Sequence, residues 1–151
     1  MNNKNNPLLL RPSGKDYLWG GKRLNDEFAK GIPLSPLAET WECSVHPDGP
    51  SYVVNKEFEN KTLHEVLEQH TEFLGTKHTN GFPLLIKFID AKEDLSIQVH
   101  PDDEYAFKYE NGERGKTEMW YVLDATKDAT LIYGLKRDIT KEELLKAIKD
   151  N

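Results

Sequence analysis

Gln98, His100 and Glu118 carry donor atoms at a spacing suited to gripping one cation. Successive side chains of a strand point to opposite faces. In the run 95–100, Leu95, Ile97 and Val99 therefore share one face, while Ser96, Gln98 and His100 share the other. An amide oxygen and an imidazole then stand side by side, until Pro101 ends any ladder by lacking an N–H. A second alternating run, 116–123, puts Lys116, Glu118 and Trp120 on one face. An unpaired carboxylate just ahead of the strongly β-forming Trp120-Tyr121-Val122-Leu123 would be costly, so Glu118 wants a cation. Nitrogen and oxygen donors without thiolates suit zinc, manganese or iron(II). The same spacing also fits an ordinary half-exposed strand on which Glu118 pairs with Lys116 or Arg114, because so short a motif arises by chance.

Other residues offer chemistry singly. Lys87 interrupts the apolar run 82–91, which reads as a strand buried on both faces. An ammonium there must reach an anion: a substrate oxygen or phosphate on one reading, Asp90 or Glu118 on the other. Glu42 and His46 are polar members of an alternating strand, 38–46, with Glu39 and Thr40 at its mouth. Trp19, beside Gly20 and Gly21, either covers the apolar face of a sugar or packs in the core. Cys43 is the one cysteine, so an internal disulfide and a Cys-rich zinc site are excluded, and its strand setting makes it a small buried residue rather than a nucleophile. His64, His70 and His78 do not repeat on one helix face and read as surface residues.

These residues need elements to position them. Short runs at 7–10, 38–46, 51–54, 82–91, 95–100, 116–123 and 129–134 read as strands separated by turn residues. Thr62 with Glu65 is a capping box ahead of the apolar stripe Leu63, Val66 and Leu67, and a further helical piece around Phe73 and Leu74 stops at Gly75. Acidic 102–104 suits a helix start. Thr140 with Glu143 opens a capped helix with the stripe Leu144, Leu145 and Ile148. Many strands with one helical insert predict a mainly β sandwich or jelly roll.

The chain's 151 residues suffice for one domain. A net charge of -6 argues against a nucleic-acid partner and obliges any sugar-phosphate site to gather its cations locally. The polar start MNNKNNP lacks a signal-peptide core, and no apolar run approaches membrane-spanning length, so a cytoplasmic protein with no membrane partner is expected.

The segments PLLIKFIDAKEDLSIQVHPDDEYA and GERGKTEMWYVLDA, with YLWGGKRL and AETWECSVHPDGPS before them, resemble the type I phosphomannose isomerases of the cupin superfamily. The similarity runs from about Pro12 to about Gly134. It implies a cupin jelly-roll barrel with a small helical insert at about 62–80. It also implies a bound zinc, one per chain, on Gln98, His100 and Glu118, and interconversion of mannose 6-phosphate and fructose 6-phosphate. By the same resemblance Trp19, Lys87 and Lys116 face the sugar phosphate, and Lys87 and Lys116 hold the negative charges of phosphate and intermediate. Glu42, Lys116 and His100 are all open as the general base. A non-catalytic metal- and sugar-binding cupin module, or a metal-free jelly-roll interaction domain, are the competing readings.

The resemblance also states what to expect elsewhere. The family is about twice this length and adds a histidine ligand and an arginine assigned to catalysis, whereas no histidine follows His100 here. The chain therefore reads as the N-terminal catalytic part of a longer isomerase, its barrel incomplete, expected to associate with a missing C-terminal half or with itself and to have little activity alone.

Overall fold

The computed structural model describes residues 6–75 and 81–150, so His78 and most of the polar start lie outside the described residues. The chain divides into two compact units, Met1–Leu95 and Ser96–Asn151.

The first unit is built on two small antiparallel sheets. Strand β1 (Leu10–Arg11) pairs with β4 (Tyr52–Val53), Leu10 opposite Val53. Strands β2 (Ser13–Lys15), β3 (Glu39–Cys43) and β5 (Ile86–Ile89) form the second sheet with β3 in the middle. Trp41 sits opposite Lys87 and Thr40 opposite Phe88, and a bulge follows, so that Cys43 faces Ile86. Between β2 and β3 runs one turn of helix, α1 (Arg23–Asp26). Gly20 is required before it: a Cβ there would lie 2.5 Å from that of Ala38.

Helix α2 (Leu63–Gln69) starts at the predicted capping box, with Thr62 and Glu65 each accepting the other's backbone N–H. Its predicted stripe, Leu63, Val66 and Leu67, is buried with Val53. Leu8, Leu10, Cys43, Val45, Phe58 and Phe73 pack around that cluster, and each fully buried aliphatic side chain contributes about 1.5–3 kcal/mol of burial. A 3-10 turn (Thr71–Leu74) then ends at Gly75, which takes φ 69°.

The run 82–91 differs from expectation. Only Ile86–Ile89 forms a strand, and Leu84, Leu85 and Ile86 are exposed. β5 is the outer strand of its sheet, and apolar content alone does not distinguish an outer strand from a central one. Cys43 is half-buried rather than buried.

The second unit is helical where the sequence predicted capping. Asp102 accepts the Tyr105 N–H at the start of α3 (Asp103–Tyr109), and Thr140 and Glu143 close a capping box on α4 (Lys141–Lys149). The segments 95–100, 116–123 and 129–134, expected as strands, run without a backbone ladder among the described residues. Val99, Tyr121 and Ile132 stand exposed. β-propensity measures how well a side chain suits a pleated surface with neighbours, and no neighbouring strand forms there. The expected closed barrel is accordingly not formed; the described residues make two open sheets.

Candidate functional site

In the second unit a backbone tie creates the donor cluster. The Lys116 N–H donates to the Pro101 carbonyl at 3.1 Å, and the Gly115 N–H to Asp103 Oδ1 at 2.9 Å. This approach demands glycine, since a Cβ on Gly115 would lie 2.5 Å from the Asp102 carbonyl carbon. The tie joins the residue after His100 to the residue two before Glu118. His100 Nε2 consequently lies 2.8 Å from Glu118 Oε2.

Lys116 Nζ stands 3.6 Å from the other oxygen, Oε1. Both His100 and Glu118 side chains are about a quarter exposed, at 27% and 28%. Partial burial pushes the Glu118 carboxyl up. Hydrogen bonds from His100 and Trp120 and the charge of Lys116 outweigh that and hold it below the usual carboxylate range. The Gln98 amide instead donates to Ser96 Oγ at 3.2 Å. The structure thus brings His100, Glu118 and Lys116 into contact and leaves Gln98 bonded to its neighbour.

One imidazole nitrogen and one carboxylate oxygen in contact, on a carboxyl that stays ionised, form a donor pair of the hard-to-borderline type that zinc accepts. Among the described residues no three His, Cys, Asp or Glu side chains gather into a metal-binding group.

In the first unit a separate cluster lies on one face of the β2–β3–β5 sheet. Lys87 Nζ is 3.1 Å from Glu39 Oε2, and the Trp41 indole Nε1–H donates to that same oxygen at 2.6 Å. Lys87 Nζ also stands 4.3 Å from the Trp41 ring centroid, and Lys15 Nζ 4.6 Å from it. Tyr17 stacks on Trp19 with ring centroids 5.5 Å apart. Burial, then the charges of Glu39, Asp48 and Asp16, raise the Tyr17 hydroxyl above its ordinary value.

Glu42 is elsewhere: it faces away from Lys87, with Thr40 Oγ1 at 2.5 Å and Lys30 Nζ at 2.8 Å, while Lys30 also covers the Phe88 ring. His46 is a turn residue whose Nδ1 accepts the Asp48 N–H. Burial pushes the Cys43 thiol up, which disfavours a thiolate. His64 is exposed beside Glu68, whereas His70, expected at the surface, is half-buried beside Glu72 with its ring 4.9 Å from that of Phe58.

Within its own unit Lys87 pairs with Glu39 and not with Asp90, the near carboxylate proposed from sequence, whose Oδ2 accepts the Arg23 N–H instead. The signal was available: Glu39-x-Trp41 at strand period places both side chains on one face.

Residues 8–127 match the family defined as phosphomannose isomerase type I, catalytic domain. Mannose-6-phosphate isomerase ManA of Bacillus subtilis is 46% identical over 143 residues, covering 95% of this chain and 45% of that protein. Mannose-6-phosphate isomerase of Streptococcus mutans is 44% identical over 142 residues, covering 94% and 44%. The crystal structure of the Bacillus subtilis mannose 6-phosphate isomerase superposes with a TM-score of 0.88 at 46% identity, over 95% of this chain and 46% of that one.

The fold is the mainly β, cupin-type fold of that class. The chain belongs to the type I phosphomannose isomerase family. It spans less than half the length of these relatives. No helix among the described residues is long and apolar enough to cross a membrane.

Proposed function

We propose that this chain is the N-terminal catalytic part, residues 1–151, of a cytoplasmic mannose-6-phosphate isomerase of carbohydrate metabolism, interconverting mannose 6-phosphate and fructose 6-phosphate through an enediolate. The observation that carries the reading is the His100–Glu118–Lys116 cluster, tied by the Lys116–Pro101 backbone bond, in a member of this family.

A single zinc ion would be held by Gln98, His100 and Glu118 and would supply a Lewis acid for the sugar's carbonyl and hydroxyl oxygens. Glu118, kept ionised by its partners, is ready to serve as a ligand at neutral pH. Lys116 brings a positive charge next to that centre, suited to the developing oxyanion. Lys87 holds the substrate's anionic oxygens, and Trp19, stacked on Tyr17, offers a flat face to the sugar ring. Proton transfer falls to one of Lys116, His100 and Glu42; the first two contact Glu118, and the third is engaged by Lys30. On this reading a further zinc donor and further substrate contacts would come from outside the segment matched here, which covers 45% and 44% of the two relatives.

The test is metal analysis of the purified chain with a coupled assay of mannose 6-phosphate turnover, free of host isomerase. The chain should bind zinc, His100→Ala should lose most of it, and turnover should be weak. Unchanged zinc in His100→Ala would sink the metal site. Strong turnover by the chain alone would overturn its dependence on further residues.

A further inference from the structure

Lys87 and Glu39 form an ion pair inside a three-stranded sheet, with side chains only 19% and 9% exposed. Removing two charges from water costs several kcal/mol per ion, and well-packed apolar residues of similar size would stabilise such a position as well or better. Stability does not explain the pair.

Its geometry suggests another purpose. Trp41 has a single donor, Nε1–H, and gives it to Glu39 Oε2, the oxygen that also receives Lys87. Glu39 and Trp41 are two apart on β3 and therefore share a face, and Lys87 is the register partner of Trp41 on β5. The carboxylate is fixed by its own strand, and the ammonium is confined between that carboxylate and the indole ring, 4.3 Å from its centroid. An ammonium carries three N–H donors, so one bond to Glu39 orients the group while leaving it capable of more.

We propose that Glu39, clamped by Trp41, is the positioning residue of Lys87, holding its charged amine at a fixed point above the sheet for an anionic oxygen of the substrate. The substrate half of this rests on the isomerase reading; the positioning half does not.

Limited acetylation with acetic anhydride, read by peptide mass spectrometry, reports the freedom of Lys87 directly, with Lys56 and Lys61 of the same unit as internal references. Glu39→Gln removes the charge, and Lys87 should become about tenfold more reactive relative to the references, as expected for loss of a hydrogen bond to a charged group. Trp41→Phe keeps the carboxylate but removes its clamp, and Glu39→Asp shortens its reach; both should give smaller increases. Unchanged Lys87 reactivity in whichever of the three variants keep the wild-type backbone NMR spectrum overturns the proposal.

Binding of mannose 6-phosphate to the zinc-loaded chain separates the two readings. Glu39→Gln should weaken binding in the wild-type background and have no further effect in Lys87→Met. An equal loss in both backgrounds would make Glu39 merely structural and refute its role. Absence of binding by the wild type, with Lys87 reactivity still rising in Glu39→Gln, would overturn the substrate half of the proposal for this chain and leave the positioning intact.

Discussion

Helices α2 and α4 begin with the same device, a threonine and a glutamate three residues on, each satisfying the other's backbone N–H, yet they end in opposite circumstances. The stripe of α2 is buried against Val53 and a ring of further apolar side chains. The stripe of α4, Leu144, Leu145 and Ile148, is 40%, 48% and 64% exposed. The contrast extends to the units that carry them. Strand-forming sequence in the first unit finds partners and becomes β3 and β5, whereas 116–123 and 129–134 in the second form no ladder among the described residues. Local signals decide what a segment is disposed to become; neighbours decide whether the disposition is realised.

The widest gap should appear in core truncations. Leu67→Ala should cost about 2–5 kcal/mol in denaturant unfolding followed by the indole fluorescence of Trp41, a buried first-unit residue, while Leu145→Ala should change it by less than about 0.5 kcal/mol. Equal losses would mean that α4 is packed in solution as α2 is, and the comparison would fail.

Amide hydrogen exchange sharpens the same point. N–H groups bonded between β3 and β5 should be protected by orders of magnitude over those of 117–123 and 129–133, which lack ladder partners. Protection of 117–123 appearing only at high protein concentration would show that copies of the chain supply the missing strand to one another.

The smallest effect concerns the caps. Thr62→Ala should lower global stability by about 1 kcal/mol, and Thr140→Ala should lower only the helicity of α4. The pH dependence follows from the glutamates. The backbone and side-chain hydrogen bonds of Thr62 lower the Glu65 carboxyl, and Arg137 with the Thr140 N–H lowers that of Glu143. A lowered folded value means that each cap's contribution is present above the ordinary carboxylate pKa and is lost as pH falls through the folded value. Acidification should therefore fray both helix starts. Chemical-shift titrations showing either cap unchanged on acidification past that range would contradict the assignment.

Much of the candidate site was legible before any coordinates. The spacing offered Gln98, His100 and Glu118 as one donor set, of which the structure joins His100 to Glu118 and leaves the Gln98 amide on Ser96; the contact of Lys116 with Glu118 follows from their being two apart. What spacing could not supply was the 18-residue closure between His100 and Glu118, made by Gly115 lying against the start of α3. Glu42 was equally visible as a polar strand residue, but the sheet register turns it toward Lys30 and away from Lys87.

The sequence by itself determined the short-range features: both capping boxes, the Asp102 start of α3, the Gly75 stop, the shared face of Glu39 and Trp41 on β3, and through its motifs the family. These depend on neighbours within four residues, where chain geometry leaves few choices. The tertiary structure alone decided that β5 is an outer strand, that Glu39 rather than Asp90 receives Lys87, and which strand-forming segments obtain a ladder. Those outcomes turn on which distant segment arrives alongside, a matter of backbone hydrogen-bond partners and packed surface that no local pattern encodes.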